Sequence, residues 1–351
     1  MLTLLIQHLR QRSDLDEAQV LEAVGALAAE SVPTEAKADF LTALALKGES
    51  TAELAGFARA LRERAVPVPL DATTRAGEIL DVCGTGGDHL HTFNISTTAA
   101  LVCAAAGVPV AKHGNRAITS KSGSADVLEA LRIPIDLAPT DAAQSLSRHG
   151  FVFLFAPRYH PAFRHIAPAR KLCAERGQRT LFNLLGPLLN PALPTVQLLG
   201  VPSPALCEPL ARVLQSLGLR RGMVVCGQVP GVNGQSAMAM DEFSTLGPTT
   251  VADFGPGRDV SLGVFDATAL PLQQTSLKAL AGGDAQANAQ ITRRLLQAEE
   301  RGARRDAVLL NAGAALVVAG KVDSIAAGWS LAATVIDDGR AAAKLDELSA
   351  A

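Results

Sequence analysis

The sequence predicts an α/β protein, with a small helical domain over residues 1–70 and a larger α/β domain over 71–351 built on a mostly parallel central sheet. Three observations carry that prediction. Residues 1 to about 66 place apolar side chains at helical spacing. From Glu78 short apolar runs alternate with helical stretches, as strands joined by helical crossovers do. The chain has 351 residues, enough for one large domain plus a smaller one, and Ala, Leu, Val and Gly dominate it, as suits helices packed on a buried sheet.

Taken in order, Leu2, Leu5 and Leu9 recur on one helical face. Ser13 and Asp14 are candidate caps for the next run, whose apolar positions include Val20, Leu21, Val24 and Leu27. Pro33 with Thr34 and Glu35 opens another helix, and Ser50 with Glu53 has capping-box spacing before Leu54, Phe57 and Leu61. Val66-Pro67-Val68-Pro69-Leu70 reads as an extended linker. Strands are expected at Ile79 to Cys83, Val108 to Ala111, Phe151 to Phe155 and Met223 to Cys226. The Ala-rich stretches near 281–290 and 341–351 read as helix surfaces.

Composition excludes several classes. A formal net charge of -2 supplies no basic field for nucleic acid, and 4% aromatics, with one Trp and one Tyr, supply no base-stacking surface. Five widely spaced cysteines (Cys83, Cys103, Cys173, Cys207, Cys226) without a CxxC argue for reduced thiols rather than zinc. His8, Arg10, Gln11 and Arg12 break the amino-terminal apolar run, and no stretch reaches the ~18 apolar residues of a membrane span. A cytoplasmic protein without membrane or nucleic-acid partners is expected.

Four motifs carry chemistry. In Asp81-Val82-Cys83-Gly84-Thr85-Gly86-Gly87-Asp88 a buried strand empties into a glycine loop, and a helix starts near Asn94 to Thr97. Glycines allow positive φ and close backbone approach, and the helix start adds free N–H groups, so phosphate or pyrophosphate binding follows. His89 replaces the third glycine of a dinucleotide fingerprint, and no Gly-Lys-Ser/Thr ending marks a Walker loop. A tight turn without ligand is the alternative. The second motif, Lys112-His113-Gly114-Asn115-Arg116 and then Lys121-Ser122-Gly123-Ser124-Ala125-Asp126, is a polar loop after the strand ending at Ala111. Ser124 is the candidate cap of a helix over Ala125 to Leu131. Its cations and hydroxyls suit a ligand with both pyrophosphate and a 5-phosphate. Asp241-Glu242-Phe243-Ser244-Thr245 is ambiguous alone, since paired carboxylates are usually a solvated turn. Beside a pyrophosphate site the pair suits Mg²⁺, with Ser96 as a further oxygen ligand. The fourth motif comprises Tyr159-His160-Pro161-Ala162, Arg170 and Arg179-Thr180-Leu181-Phe182-Asn183-Leu184-Leu185-Gly186-Pro187-Leu188-Leu189-Asn190-Pro191. Arg170 could pair bidentately with a carboxylate or simply sit on a helix surface.

In this order and spacing these motifs resemble the anthranilate phosphoribosyltransferase family, of the class II nucleoside phosphorylase-like fold. Leu309-Leu310-Asn311-Ala312, Gly282-Gly283-Asp284 and Ile336-Asp337-Asp338-Gly339 extend the likeness towards the carboxy terminus. The resemblance implies transfer of the 5-phosphoribosyl group of phosphoribosyl pyrophosphate to the anthranilate amino group, a step of tryptophan biosynthesis. It implies contacts to the donor from Gly84, Gly87, Asp88, Thr92, Asn94, Ile95, Ser96 and Thr97. Lys112, His113, Gly114, Asn115, Arg116, Ala117, Ile118, Thr119, Ser120 and Ser124 would complete the donor pocket. Anthranilate would meet Gly84, Asn115 and Arg170, and Mg²⁺ would be held by Ser96, Asp241 and Glu242. His113 is a candidate base by position. The resemblance further implies a homodimer formed through the helical domain, and helices from about 168–190 that join that domain in space. Three departures stand out: His89 where relatives commonly have glycine, a segment between Arg170 and Arg179 about two residues longer than usual, and an extended Gly227 to Met240. A pyrimidine nucleoside phosphorylase of the same fold, or a silent nucleic-acid-binding paralogue, are the rival readings.

Overall fold

The structure is a computed structural model that describes residues 2–117, 121–231 and 236–351. The expected donor contacts at Ile118, Thr119 and Ser120 lie outside the described residues.

The chain opens with four helices, α1 (Leu2–Arg10), α2 (Glu17–Ala28), α3 (Thr34–Lys47) and α4 (Thr51–Arg62). Leu2, Leu5 and Leu9 are buried on one stripe of α1, which packs on α3, while α2 packs on α4. The cap of α2 is Asp16, not Ser13 or Asp14. Its carboxylate accepts from Gln19 N at 2.8 Å, and the Gln19 side chain returns to Asp16 N at 3.0 Å. Asp14 is drawn away by Lys47, whose ammonium sits 2.5 Å from it. The capping box of Ser50 and Glu53 forms as the spacing indicates.

After the extended 66–70 stretch, α5 (Ala72–Ala76) leads into an eight-stranded sheet. Its strands are β1 (Leu80–Gly84), β2 (Val110–Gly114), β3 (Phe151–Phe155), β4 (Val196–Gly200), β5 (Arg221–Val229), β6 (Met238–Met240), β7 (Thr249–Gly255) and β8 (Arg258–Phe265). They are ordered β3-β2-β1-β4-β5-β7-β8, with β6 paired to β5. The first five are mutually parallel, and β6, β7 and β8 are antiparallel additions at one side. This is the mostly parallel sheet the residue pattern indicates. β2 begins two residues later than expected and runs through Lys112, His113 and Gly114, which read as loop in the sequence. Pro109 has no N–H for the ladder, and both polar side chains find buried partners, so the strand continues through them.

The crossovers are α6 (Ile95–Ala105), α7 (Ser124–Ala130), α8 (Pro139–His149), α9 (Ala156–Tyr159), α10 (Phe163–Glu175), α11 (Phe182–Leu185) and α12 (Cys207–Ser216). The carboxy-terminal helices are α13 (Ala285–Leu296), α14 (Ala303–Val318), α15 (Ile325–Asp337) and α16 (Arg340–Ser349). Ser124 is the first residue of α7 rather than its cap. Asp126 supplies the capping carboxylate instead, accepting from Gly123 N and Ala117 N at 2.9 Å each.

Strand parity separates two large cores, and a smaller cluster gathers Ile79, Ala111, Val152, Leu154 and Tyr159 beside them. Leu80, Val82, Val196, Leu198, Met223 and Val225 face one, shared with α6, α14 and α15. Cys83, Leu199, Val224 and Cys226 face the other, continuous with Phe40, Phe57 and Leu61 of the amino-terminal helices. In this second core α10 packs on α3 and α2, and α11 and α12 pack on α4. The middle of the chain thereby returns to the first helices and carries the fourth motif onto the central strands β1, β2 and β4.

Candidate functional site

The glycine loop leaves the carboxyl end of β1, where ligands of open α/β sheets collect. Gly84 pairs in register with Gly200 of β4, and both glycines form a seat for Asp241. A Cβ on Gly200 would fall 1.6 Å from the Asp241 carbonyl oxygen, and one on Gly84 would fall 2.2 Å from its Oδ2. Only hydrogen fits at either position. Gly86 N–H then donates to Asp241 Oδ2 at 2.7 Å. Glu242 turns the other way, and its Oε1 accepts from Ser96 N–H at 3.0 Å at the start of α6. The first and third motifs are thus tied by two backbone-to-carboxylate bonds.

The carboxylates are crowded. Asp88 lies against Asp241, and its buried Oδ2 finds no hydrogen-bond donor among the described residues. Burial raises the affinity of Asp241 for its proton, and Asp88 raises it further. Burial and then Asp241 do the same to Glu242, against the pull of Lys112. A cation would relieve this repulsion. Among the described residues no three His, Cys, Asp or Glu side chains form a closed metal cage. The carboxylates fit a hard cation that fills its shell with hydroxyl, water and substrate oxygens, as Mg²⁺ does.

The remaining donor-pocket residues divide. Ile95 and Thr97 are buried in the first turn of α6, and Ile95 N donates to Phe93 O at 2.7 Å. Asn94 stands at the N-cap of α6 without a side-chain capping bond; its Oδ1 accepts from Asn288 Nδ2 at 2.8 Å, and its Nδ2 donates to Ser122 O at 3.4 Å. Thr92 bridges Ala281 across an isolated pair, where Gly282 packs so closely on Phe93 that a Cβ would meet its Cα at 2.8 Å. The second motif folds back on itself, with Gly114 against Ser124 Oγ and Gly123 against Ala117 N. Lys112 is buried, and its ammonium donates to Val82 O at 2.5 Å. The Arg116 guanidinium is held by Glu129 at 2.7 Å and Asp126 at 3.1 Å, while Asn115 is exposed beside it. Lys112 and Arg116 are therefore committed to protein partners in this arrangement.

His113 also departs from the expected role of a base. Its Nε2 lies 3.2 Å from Nε2 of His160, and both rings are buried. Burial and the neighbouring His160 push His113 down to about 3, and burial pushes His160 down to about 4. Both imidazoles are neutral near pH 7, too weakly basic to collect a proton there. Arg170, on α10, is half-buried and stacks 5.2 Å over the Phe182 ring. It has no carboxylate partner among the described residues, and burial lowers its proton affinity, so an incoming carboxylate would find an unpaired guanidinium.

Several supporting residues escaped the sequence reading. Asn311 of α14 accepts from Phe243 N at 2.9 Å and donates to Phe243 O at 3.1 Å, fixing the chain just past Glu242. Asn190 donates to Asp81 Oδ2 at 2.9 Å and to Ala111 O at 2.7 Å, tying the end of the fourth motif to β1 and β2. Arg62 of α4 donates to Leu188 O at 2.6 Å. Asn190 and Asn311 stand within motifs already conspicuous in the sequence; nothing marks Arg62.

Comparison with known proteins places the chain in a family. Residues 76–342 match the glycosyl transferase family a/b domain, and residues 3–65 match the helical bundle domain of the same family. Anthranilate phosphoribosyltransferase 2 of Streptomyces coelicolor is 47% identical over 95% of this chain and 94% of its own. The Roseiflexus castenholzii anthranilate phosphoribosyltransferase is 45% identical over 95% and 94%. The crystal structure of the Thermus thermophilus anthranilate phosphoribosyltransferase superposes with a TM-score of 0.87 at 41% identity, covering 98% of both chains. The Saccharomyces cerevisiae enzyme in complex with PRPP and Mg gives 0.80 at 26% identity, covering 95% of this chain and 91% of that one. The chain belongs to the anthranilate phosphoribosyltransferase family.

Proposed function

We propose that this protein transfers the 5-phosphoribosyl group of phosphoribosyl pyrophosphate to the amino group of anthranilate, giving N-(5-phosphoribosyl)anthranilate and pyrophosphate in tryptophan biosynthesis. The observation that carries the reading is the seat that Gly84 and Gly200 make for Asp241, which brings a crowded carboxylate cluster onto a glycine loop and a helix start. Loss of pyrophosphate leaves cationic character on the ribose, so the protein has to stabilise the leaving group and orient the amine on the opposite face.

The N–H groups of the glycine loop and of the first turn of α6 that Asp241, Glu242 and Phe93 O leave open would meet the departing phosphates. Asp241, Glu242 and the Ser96 hydroxyl would hold Mg²⁺, which neutralises charge growing on pyrophosphate when bound. Arg170 would orient anthranilate through its carboxylate, with Asn115 and Gly84 closing the acceptor side. The anthranilate amine is neutral at pH 7 and needs no base, which agrees with a neutral, buried His113. The alternative, a pyrimidine nucleoside phosphorylase, has no use for a carboxylate cluster beside the phosphate loop.

The exposed Leu4 on α1 and Leu46 on α3, 70% and 67% accessible on two helices that pack together, support a homodimer through the helical half. Five free, buried cysteines support a reducing, cytoplasmic setting, and among the described residues no helix is long and apolar enough to cross a membrane. A reaction with anthranilate, phosphoribosyl pyrophosphate and MgCl₂ should yield the phosphoribosylated acceptor and one pyrophosphate per turnover by mass spectrometry. Phosphorolysis of uridine or thymidine instead would replace this reading with its rival.

A further inference from the structure

Arg179 stands apart from the other cations of the site. It lies on the connection between α10 and α11, and that connection is pinned on both sides of it. Gly177, at φ 70, ends α10, and Gln178 N donates back to Cys173 O at 2.9 Å. On the other side Thr180 N donates to Asn183 Oδ1 at 3.0 Å, and the Gln178 side chain donates to Arg179 O at 2.8 Å. The backbone is fixed while the side chain is exposed. Its guanidinium makes no hydrogen bond or ion pair among the described residues, whereas Arg116 and Arg176 are engaged by carboxylates.

The free guanidinium reaches the glycine loop. A Cβ on Gly87, at φ 86, would meet Arg179 Nη2 at 3.4 Å, the one atom within 4 Å of that position among the described residues beyond its chain neighbours. Gly87 therefore presents bare backbone, with an unpaired cation beside it, on the loop that the proposed reaction assigns to phosphate. Asp241 occupies Gly84 and the Gly86 N–H, so the carboxylates and Arg179 address different parts of one loop.

We infer that Arg179 is a second cationic contact for the pyrophosphate of the donor, reaching the glycine loop from the helical half of the chain. The inference rests on the proposed phosphoribosyl transfer and adds to it a specific donor-binding residue distinct from Arg170. A planar guanidinium suits bidentate contact with phosphate oxygens, and an exposed, prepositioned one loses little when it engages them.

Titration calorimetry of the full-length protein with phosphoribosyl pyrophosphate and MgCl₂, without acceptor, tests this directly. Arg179→Gln should weaken donor binding by about 10- to 100-fold, with Arg179→Lys recovering part of the loss. Magnesium pyrophosphate alone should show the same order of affinities. The steady-state KM for anthranilate should stay within about twofold of the parent value, which separates this residue from an acceptor contact. Arg179 is exposed and unpaired, so thermal stability should not change. Equal donor affinity in parent and Arg179→Gln overturns the assignment and leaves the phosphoribosyl-transfer reading standing, as does a rise confined to the anthranilate KM. Failure of the parent protein to bind the donor overturns both.

Discussion

Adding one methyl group at Gly84 should disable the site without unfolding the protein. Gly84 is not at positive φ, so its backbone conformation accepts an L side chain, and no intrinsic strain follows from Gly84→Ala. The contact is what forbids it. The new Cβ would lie 2.2 Å from Asp241 Oδ2 and 2.8 Å from its Cγ, so the carboxylate has to retreat by about 1 Å to reach ordinary packing distance. That retreat breaks the 2.7 Å bond from Gly86 N–H. A hydrogen bond to a charged group contributes about 1.5–3 kcal/mol, and a displacement of about 1 Å in a positioned group costs on the order of 10²-fold in rate. Gly84→Ala should therefore reduce kcat/KM by about 10²-fold and raise the Mg²⁺ concentration needed for half activity. Steady-state turnover at several MgCl₂ concentrations, beside a thermal melt, measures both. A folded Gly84→Ala protein with turnover within about threefold of the parent and unchanged Mg²⁺ dependence would refute the claim that these glycines seat a metal-binding carboxylate.

Three further outcomes follow from the same geometry. His113 and His160 are held near 3 and 4, below the ordinary 6.5, so the unfolded chain binds protons before the folded one does. The stability that depends on their neutral rings is complete above about pH 6.5 and drains as pH falls; the loss at pH 5 amounts to about 2 kcal/mol for each ring. Urea melts at pH 7.5 and 5 should show this loss in the parent and a flatter profile in a His113→Gln, His160→Gln double variant. His89 and His91 both adopt positive φ, 58° and 53°, in the phosphate loop. His89→Val should destabilise the protein by about 1–2 kcal/mol while His89→Gly should be neutral or mildly stabilising, read from denaturant midpoints. Arg170→Gln should raise the KM for anthranilate by about 10- to 100-fold and leave that for phosphoribosyl pyrophosphate nearly unchanged, by initial-rate kinetics in each substrate.

Much of the site was legible because its chemistry is written in short local patterns. A glycine run after a buried strand, a polar helix start and adjacent carboxylates each survive as sequence motifs, and the fold only has to bring them together. Even His89 was informative, since the residue that departs from glycine sits in the left-handed region that glycine favours. What was not legible depends on distant partners. Lys112 and His113 looked like loop residues because burial of a cation and an imidazole is tolerated only beside Val82 O and His160, which no window of sequence reveals. Asn190 and Asn311 could be quoted within motifs but not given their bonds to Asp81 and Phe243. The antiparallel strands β7 and β8 escaped altogether. β8 is an edge strand exposed along nearly all its length, so it lacks the apolar run of a buried strand. The Pro256-Gly257 turn joining the two, with Gly257 at φ 69, was the available signal.

The most direct test of the central claim is the loss of anthranilate fluorescence when phosphoribosyl pyrophosphate is added, followed with MgCl₂ and again with a chelator. Fluorescence should fall only when donor, acceptor and Mg²⁺ are all present, and pyrophosphate should appear in step with it. A folded protein that binds phosphoribosyl pyrophosphate yet leaves anthranilate fluorescence unchanged would contradict the acceptor, and equal turnover in the chelator would contradict the role given to Asp241 and Glu242.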